Sequence, residues 1–239
     1  MSSMSVPEAA NHLGVSRQRV LQMIADGVLP AQRIGRSWAI ADVDVDVARH
    51  YRPSSRPLSR AMSAHLLRLA AGSRPRIDDQ ELWRLRQYLL RLADAASAPD
   101  GNPADVLRSL LRRRADRLAS SVAPSDIPEI VSDERLVVSG VSDPRSGMYS
   151  SHVAEGYVDG DVAQAFLASH FIVPAPSSPR ANVVIHVSSP LPPVSPLLIA
   201  ADLADYRGDR EDNQAREVLV TWFGSSEFPS PKLLDGRSS

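Results

Sequence analysis

Apolar residues recur at helical spacing through most of the first half of the chain, and the spacing changes behind it. Ala9, Ala10 and Leu13 fall on one helical face, and Val20, Leu21 and Ile24 on a second. Residues 29–40 alternate around Gly35-Arg36-Ser37, as a two-stranded hairpin would. Asp42 can cap a third helix ending near Arg49, although the repeat VDVDV also alternates like a strand. Three amphipathic stretches follow, with arginines opposite leucines. They carry Leu58, Met62, Leu66 and Leu69, then Leu82, Leu85, Leu89 and Leu92, then Val106, Leu107, Leu110, Leu111 and Leu118. Beyond Pro124 the pattern mixes. Residues 135–139, 170–173 and 181–187 predict strands, the last β-branched almost throughout. Helices are predicted from Gly160, with Val162, Ala165, Phe166 and Leu167 facing in, over 197–206, and over 209–223, with Ala215, Val218, Leu219 and Trp222 at core spacing.

Local signals set the boundaries. Ser5 and Glu8 form a capping box, Pro7 suits a first helical turn, and Gly14 suits a left-handed helix end. Val15 is expected to plug the corner, Ser16 to cap the second helix, and Asp26-Gly27 to stop it. The string RPSSRP at 52–57 is a linker by composition, and DGNP at 100–103 is a loop. The predicted fold is mainly α with an α+β C-terminal part. Residues 1–52 form a winged helix-turn-helix, 57–120 a helical connector, 125–223 a small mixed-sheet domain and 224–239 a disordered tail.

Two short helices joined by a glycine turn make a helix-turn-helix, whose second helix can enter a DNA major groove. Its first residues are Ser16, Arg17, Gln18 and Arg19, with Gln22 one turn on. Arginine pairs bidentately with guanine and glutamine with adenine. Arg33 and Arg36, near the hairpin tip, are candidates for phosphate or minor-groove contact, while Trp38 is expected to pack the wing onto the helices. The string AAxxLGVSRQRVxxMIxxGxLPAxRIGRSWxI resembles the excisionase and MerR-type winged helix-turn-helix family. That resemblance implies DNA binding and regulation of transcription. The same three-helix frame could bind protein instead.

Charge sharpens this division. Residues 1–120 hold 19 arginines and 12 acidic residues, a net +7, and residues 121–239 hold 8 basic and 16 acidic residues, a net -8. A basic front and an acidic rear fit a chain whose front meets phosphate. The densest basic run is Arg112-Arg113-Arg114 with Arg108 and Arg117. It reads as a solvated helix face paired to Asp105 and Asp116, or as secondary phosphate contacts through Arg108, Arg112 and Arg113. The chain has 239 residues and no cysteine, which excludes disulfides and thiolate metal sites. No signal peptide or membrane span is evident, so a cytoplasmic protein is expected.

Catalytic motifs are missing: there is no phosphate-binding glycine loop, no GxSxG and no histidine pair at zinc spacing. No cofactor or enzyme activity is expected. His186 reads as a buried, hydrogen-bonded strand residue. Asp202, Asp205, Asp209, Glu211 and Asp212 read as helix N-terminal acids beside Arg207, Arg210 and Arg216, with a metal site as the alternative. The strings GYVDGDVAQAFLASHFIVPAPSSPRANVVIHV and PLLIAADLADYRGDREDNQAREVL are similar to the C-terminal region of AbiEi-type antitoxins. That resemblance implies a repressor of its own operon and a nucleotidyltransferase toxin as partner. Double-stranded DNA and a second copy of the chain are the other expected partners. An excisionase-like directionality factor and a metal-dependent enzyme using the C-terminal acids stand as alternatives.

Overall fold

The computed structural model describes residues 3–25, 28–35, 37–49, 56–148, 150–175, 181–226 and 228. The capping box forms as read. Glu8 Oε2 accepts the Ser5 N–H at 2.7 Å, the Ser5 hydroxyl accepts from Glu8 N, and α1 (Val6–Leu13) follows. Gly14 ends it at φ 66, a backbone that suits glycine. The Ser16 hydroxyl accepts the Arg19 N–H at 3.2 Å and starts α2 (Arg17–Ala25). The wing is β2 (Gln32–Ile34) paired antiparallel with β3 (Ser37–Ala41). An unforeseen strand, β1 (Ser3–Met4), pairs on the other side of β3. The VDVDV repeat is helical, in α3 (Asp42–Arg49). Ala9, Ala10, Val20, Met23, Val28, Leu29, Ile40, Val45 and Ala48 form this unit's own core.

Two expectations for the helix pair are corrected. Leu21 is 44% exposed and Met23 takes the inward place, because i, i+3 and i+4 from Val20 are Met23 and Ile24, whereas Leu21 lies about 100° round the helix. Val15 is 37% exposed and does not plug the corner. The expected stop at Asp26-Gly27 and most of the linker lie outside the described residues.

Behind the linker come α4 (Arg60–Ala70), α5 (Asp79–Ser97) and α6 (Pro103–Leu110), capped by Ser59, Asp78 and Asn102. The third helix is shorter than its leucine periodicity suggests. Leu111 leaves helical backbone, and Leu118 sits in β4 (Asp116–Ser121), opposite Ile185. The remaining strands are β5 (Val137–Val138), β6 (Ala154–Val158), β7 (Val173–Pro174) and β8 (Val183–Val187). Among the described residues their order is β5-β6-β8-β4-β7, with β6 and β8 parallel and the other pairs antiparallel. Neither β6 nor α7 (Ile127–Ser132) is foreseen in the sequence.

The sheet is covered on both faces. Ala154, Val158, Val183 and Ile185 pack on Ile127 and Ile130 of α7 and on Ala163 and Phe166 of α8 (Gly160–Ser169). Ala163 takes the place expected for Val162, which is 38% exposed, and Ala165 is exposed too. On the other face, Tyr157 joins a core built from α4, α5, α6, α9 (Pro196–Ala204) and α10 (Asp209–Phe223). Residues 57–120 and 125–223 therefore do not have separate cores: the leucines of the expected connector pack on the C-terminal helices. Of the expected disordered tail, residues 229–239 lie outside the described residues, while Phe228 packs 5.1 Å from the rings of Trp222 and Phe223. Among the described residues no helix is long and apolar enough to cross a membrane.

Polar groups are buried between sheet and helices. Arg114 donates to Asp202 Oδ1 at 2.7 Å, to Asp205 Oδ2 at 2.6 Å and to the Tyr157 hydroxyl at 2.8 Å. Tyr157 in turn donates to Asp202 at 2.7 Å, and Ser139 donates to the other oxygen of Asp202. Beside them Glu155 Oε1 lies 3.2 Å from His186 Nε2, and Glu155 Oε2 accepts from Val141 N at 2.9 Å and the Tyr206 hydroxyl at 3.1 Å. Gly140, at φ 55, makes room: a Cβ there would lie 1.9 Å from Glu155 Oε2. His186 is thus the buried, hydrogen-bonded histidine that the alternation of β8 suggests.

Burial pushes the Glu155 carboxyl up to about 7 and the His186 imidazole down to about 4. Between pH 4.5 and 6.5 the unfolded pair holds its proton on the histidine, whereas the folded pair holds it on the glutamate, so their effects on stability cancel. Single replacements unmask them with opposite signs. Glu155→Gln leaves the histidine, whose contribution is present above pH 6.5 and is lost as pH falls towards 4. His186→Gln leaves the glutamate, whose contribution is full below pH 4.5 and is lost as pH rises towards 7. Each slope reaches at most about 1.4 kcal/mol per pH unit. Urea unfolding across this range checks the signs, and slopes of the same sign in both variants would refute the neutral pair.

Candidate nucleic-acid interface

The phase of α2 decides what the front unit presents. With Val20 and Met23 turned inward, Arg17, Gln18, Arg19, Leu21 and Gln22 are exposed. The Ser16 cap fixes the first turn. No acidic residue occupies that turn, so the positive end of the helix dipole and two guanidinium groups are unopposed by a local carboxylate. Such an end attracts phosphate, and arginine and glutamine also carry the donor geometry to read guanine and adenine edges.

The wing adds a further cation. Gln32, Arg33 and Ile34 are all exposed. Arg33 stands opposite Trp38 in the ladder, with its guanidinium 6.0 Å from the indole centroid, and Trp38 is half-buried. The ring supports the arginine from one side and leaves its head open to solvent. Arg36 lies outside the described residues.

The second basic cluster departs from expectation. Arg108 is buried, not a phosphate contact. It donates to Asp212 at 2.6 and 2.8 Å, to Asp105 at 2.7 Å and to the Ala204 carbonyl at 2.7 Å. Burial opposes its charge, but the carboxylates of Asp212 and Asp105 outweigh that and raise its pKa further. Arg112 is half-buried and Arg113 exposed, and both line a cavity that Gln22 also lines. The structure thus brings Gln22 to Arg112 and Arg113, and leaves Arg17, Gln18, Arg19 and Arg33 outside that cavity.

The C-terminal acids are corrected too. Asp202 and Asp205 pair with Arg114, and Asp212 pairs with Arg108. Arg216 bonds instead to the carbonyls of Ala96 and Pro99 at the end of α5. Among the described residues no group of three or more histidine, cysteine and acidic side chains could hold a metal. The charge split also moves. Residues 1–55 hold 6 arginines and 5 acidic residues, a net +1, and residues 56–239 hold 21 basic and 23 acidic residues, a net -2. Most of the positive charge of residues 1–120 therefore belongs to residues 56–120 of the rear body.

The family model of a helix-turn-helix domain matches residues 3–47. The front of the chain is a helix-turn-helix domain. The matched span runs from β1 into α3 and contains the exposed first turn of α2. No curated protein and no solved structure matches the chain.

If this turn reads DNA, Arg17→Ala costs about 1–3 kcal/mol of specific binding and relaxes the preference at one base pair. Ser16→Ala costs about 1 kcal/mol of helix stability through the lost cap. Fluorescence anisotropy on duplexes selected from a random pool measures the first effect, and thermal unfolding the second. A double Arg17→Ala, Arg19→Ala protein that kept its sequence preference would rule out this interface.

Proposed function

We propose that the chain is a sequence-specific DNA-binding transcriptional regulator, and that it serves as the antitoxin of a toxin–antitoxin pair, repressing its own promoter. The observation that carries the reading is the first turn of α2: Arg17, Gln18 and Arg19 exposed within a matched helix-turn-helix, with no acidic residue in that turn. The antitoxin role rests on the resemblance of the rear strings to AbiEi-type proteins, and it implies a nucleotidyltransferase toxin as the partner. In this reading the rear body engages the partner and has no catalytic task. Selection of DNA by charge alone is not part of it, because the front unit is close to neutral.

Two fragments test the proposal. A cut at 125 would divide the core shared by α4–α6 and α9–α10, so the cut belongs at 56. The whole chain should shift its own promoter DNA, and residues 1–55 should do so with affinity reduced by about tenfold or more. Residues 56–239 should give no shift at moderate salt, yet should suppress the growth defect caused by the neighbouring toxin gene. A sequence-specific shift by residues 56–239 alone would overturn the placement of DNA binding. An adjacent gene encoding no nucleotidyltransferase, together with failed growth rescue, would overturn the antitoxin role.

A further inference from the structure

Two helices of the rear body carry apolar side chains on the side they turn to solvent. On α5, Trp83 is 58% exposed and Leu90 49%. They lie seven residues apart and share one side of the helix with Arg84, Gln87 and Arg91, opposite the buried Leu85, Leu89 and Leu92. Between Glu81 and Asp94 this helix holds Arg84, Arg86 and Arg91 and no acidic residue. Arg84 and Arg91 are exposed. The outer side of α5 is thus an apolar patch set among arginines.

The outer side of α8 has the opposite charge. Val162, Ala165 and Ala168 are exposed on it, and Asp161 is the helix's one charged residue. Phe171 closes the helix at φ 50, the left-handed conformation that helix ends usually leave to glycine, and it is 85% exposed. Val173, in the edge strand β7, is 55% exposed. Glu129 of α7 is exposed, and its Oε1 lies 3.9 Å from Nδ1 of His170, the residue before Phe171. Residues 121–175 hold 2 arginines and 8 acidic residues, a net -6, and both arginines pair with aspartates, Arg135 with Asp133 and Arg145 with Asp143.

A lone surface leucine needs no explanation, but a tryptophan and a phenylalanine in solvent are side chains from which interfaces draw their affinity. The two patches flank the sheet from opposite sides, α8 on one face and α5 in the helical layer over the other, so they do not meet within one chain. Across a two-fold axis, either patch against its own copy would set like charges together. Against each other, they set arginines before carboxylates and aromatic rings before aliphatic side chains.

We propose that the α5 patch of one chain docks on the α8 patch of a second copy, so that chains join head to tail. Trp83 and Leu90 of one copy cover Phe171, Val162 and the alanines of the next, and Arg84 and Arg91 face its Asp161 and Glu129. Each joined pair still has one α5 patch and one α8 patch open, so assembly grows with concentration. Neither patch contains a residue of the front unit, so the join is made by rear bodies alone.

Sedimentation velocity of the whole chain, in a concentration series up to about 100 μM, tests the contact. The wild type should form dimers and larger species whose share rises with concentration and falls as salt is raised. Arg84→Glu combined with Arg91→Glu should weaken association at least tenfold and leave the α8 patch sound, and Trp83→Gln is a second α5 variant with the same expected loss. Phe171→Asn, whose new side chain tolerates the left-handed backbone, should weaken it at least tenfold and leave the α5 patch sound. Circular dichroism checks that each variant is folded. Mixed in equal amounts, the charge-reversed chain and the Phe171→Asn chain should form a one-to-one dimer that grows no further, because one sound contact remains between them. A wild type that stays monomeric, or that stops at two at every concentration, overturns the proposal. So does association that salt leaves unchanged, wild-type association in the α5 variants or in Phe171→Asn, or a mixture that stays monomeric.

Discussion

The rear body depends on one guanidinium, that of Arg114. It lies where α6 has ended and β4 has not begun, and it reaches Asp202 and Asp205 on and just after α9, and Tyr157 on β6. A helical layer and a sheet are thereby locked at one point. A buried ion pair of this kind contributes little when intact, yet removing one partner costs about 3–5 kcal/mol because the other charge is left in the interior. The neighbouring Glu155 and His186 avoid that problem by being neutral together. Gly140 is the steric counterpart of this arrangement, since any side chain there would displace the carboxyl that the Val141 amide holds.

What was legible in the sequence was local. The capping box, Gly14, Ser16 and the hairpin around Gly35 act within a few residues, and the helix-turn-helix follows from them. Helix α5 was legible because its leucines and its Asp78 cap agree, and α10 because Ala215, Leu219 and Trp222 recur at core spacing. β6 was not, because AEGYV sends Glu155 and Tyr157 into a polar interior and offers no apolar alternation. The end of α6 was hidden by leucines that continue in helical phase to Leu118, although that residue belongs to a strand. Arg108 and Arg114 looked like surface charge because their partners, Asp212 and Asp202, stand about 100 and 90 residues away. No local pattern signals such pairings.

The same redistribution changes how the two bodies relate. The front unit brings few cations to DNA, so affinity from counterion release is modest and scales with the few phosphates it can neutralise. In the function proposed above, discrimination then rests on Arg17, Gln18 and Arg19 more than on charge. The rear body holds most of the arginines, and several of them line a cavity that residues of the front unit also line.

The shared core also sets an order of events on the ribosome. The front unit completes its core within the first 48 residues, Ala48 being its last buried member. The leucines of α4, α5 and α6 wait for α9 and α10, and Trp222 lies about 110 residues beyond Leu111. At elongation speeds of up to about 20 residues per second, that interval lasts roughly 5 seconds or more. During it a finished helix-turn-helix hangs from a bundle with an uncovered apolar face. Nascent chains are therefore exposed to chaperones and proteases through their middle and not through their DNA-binding end, and a chain truncated near Arg210 would carry an intact reading head on an unfinished body.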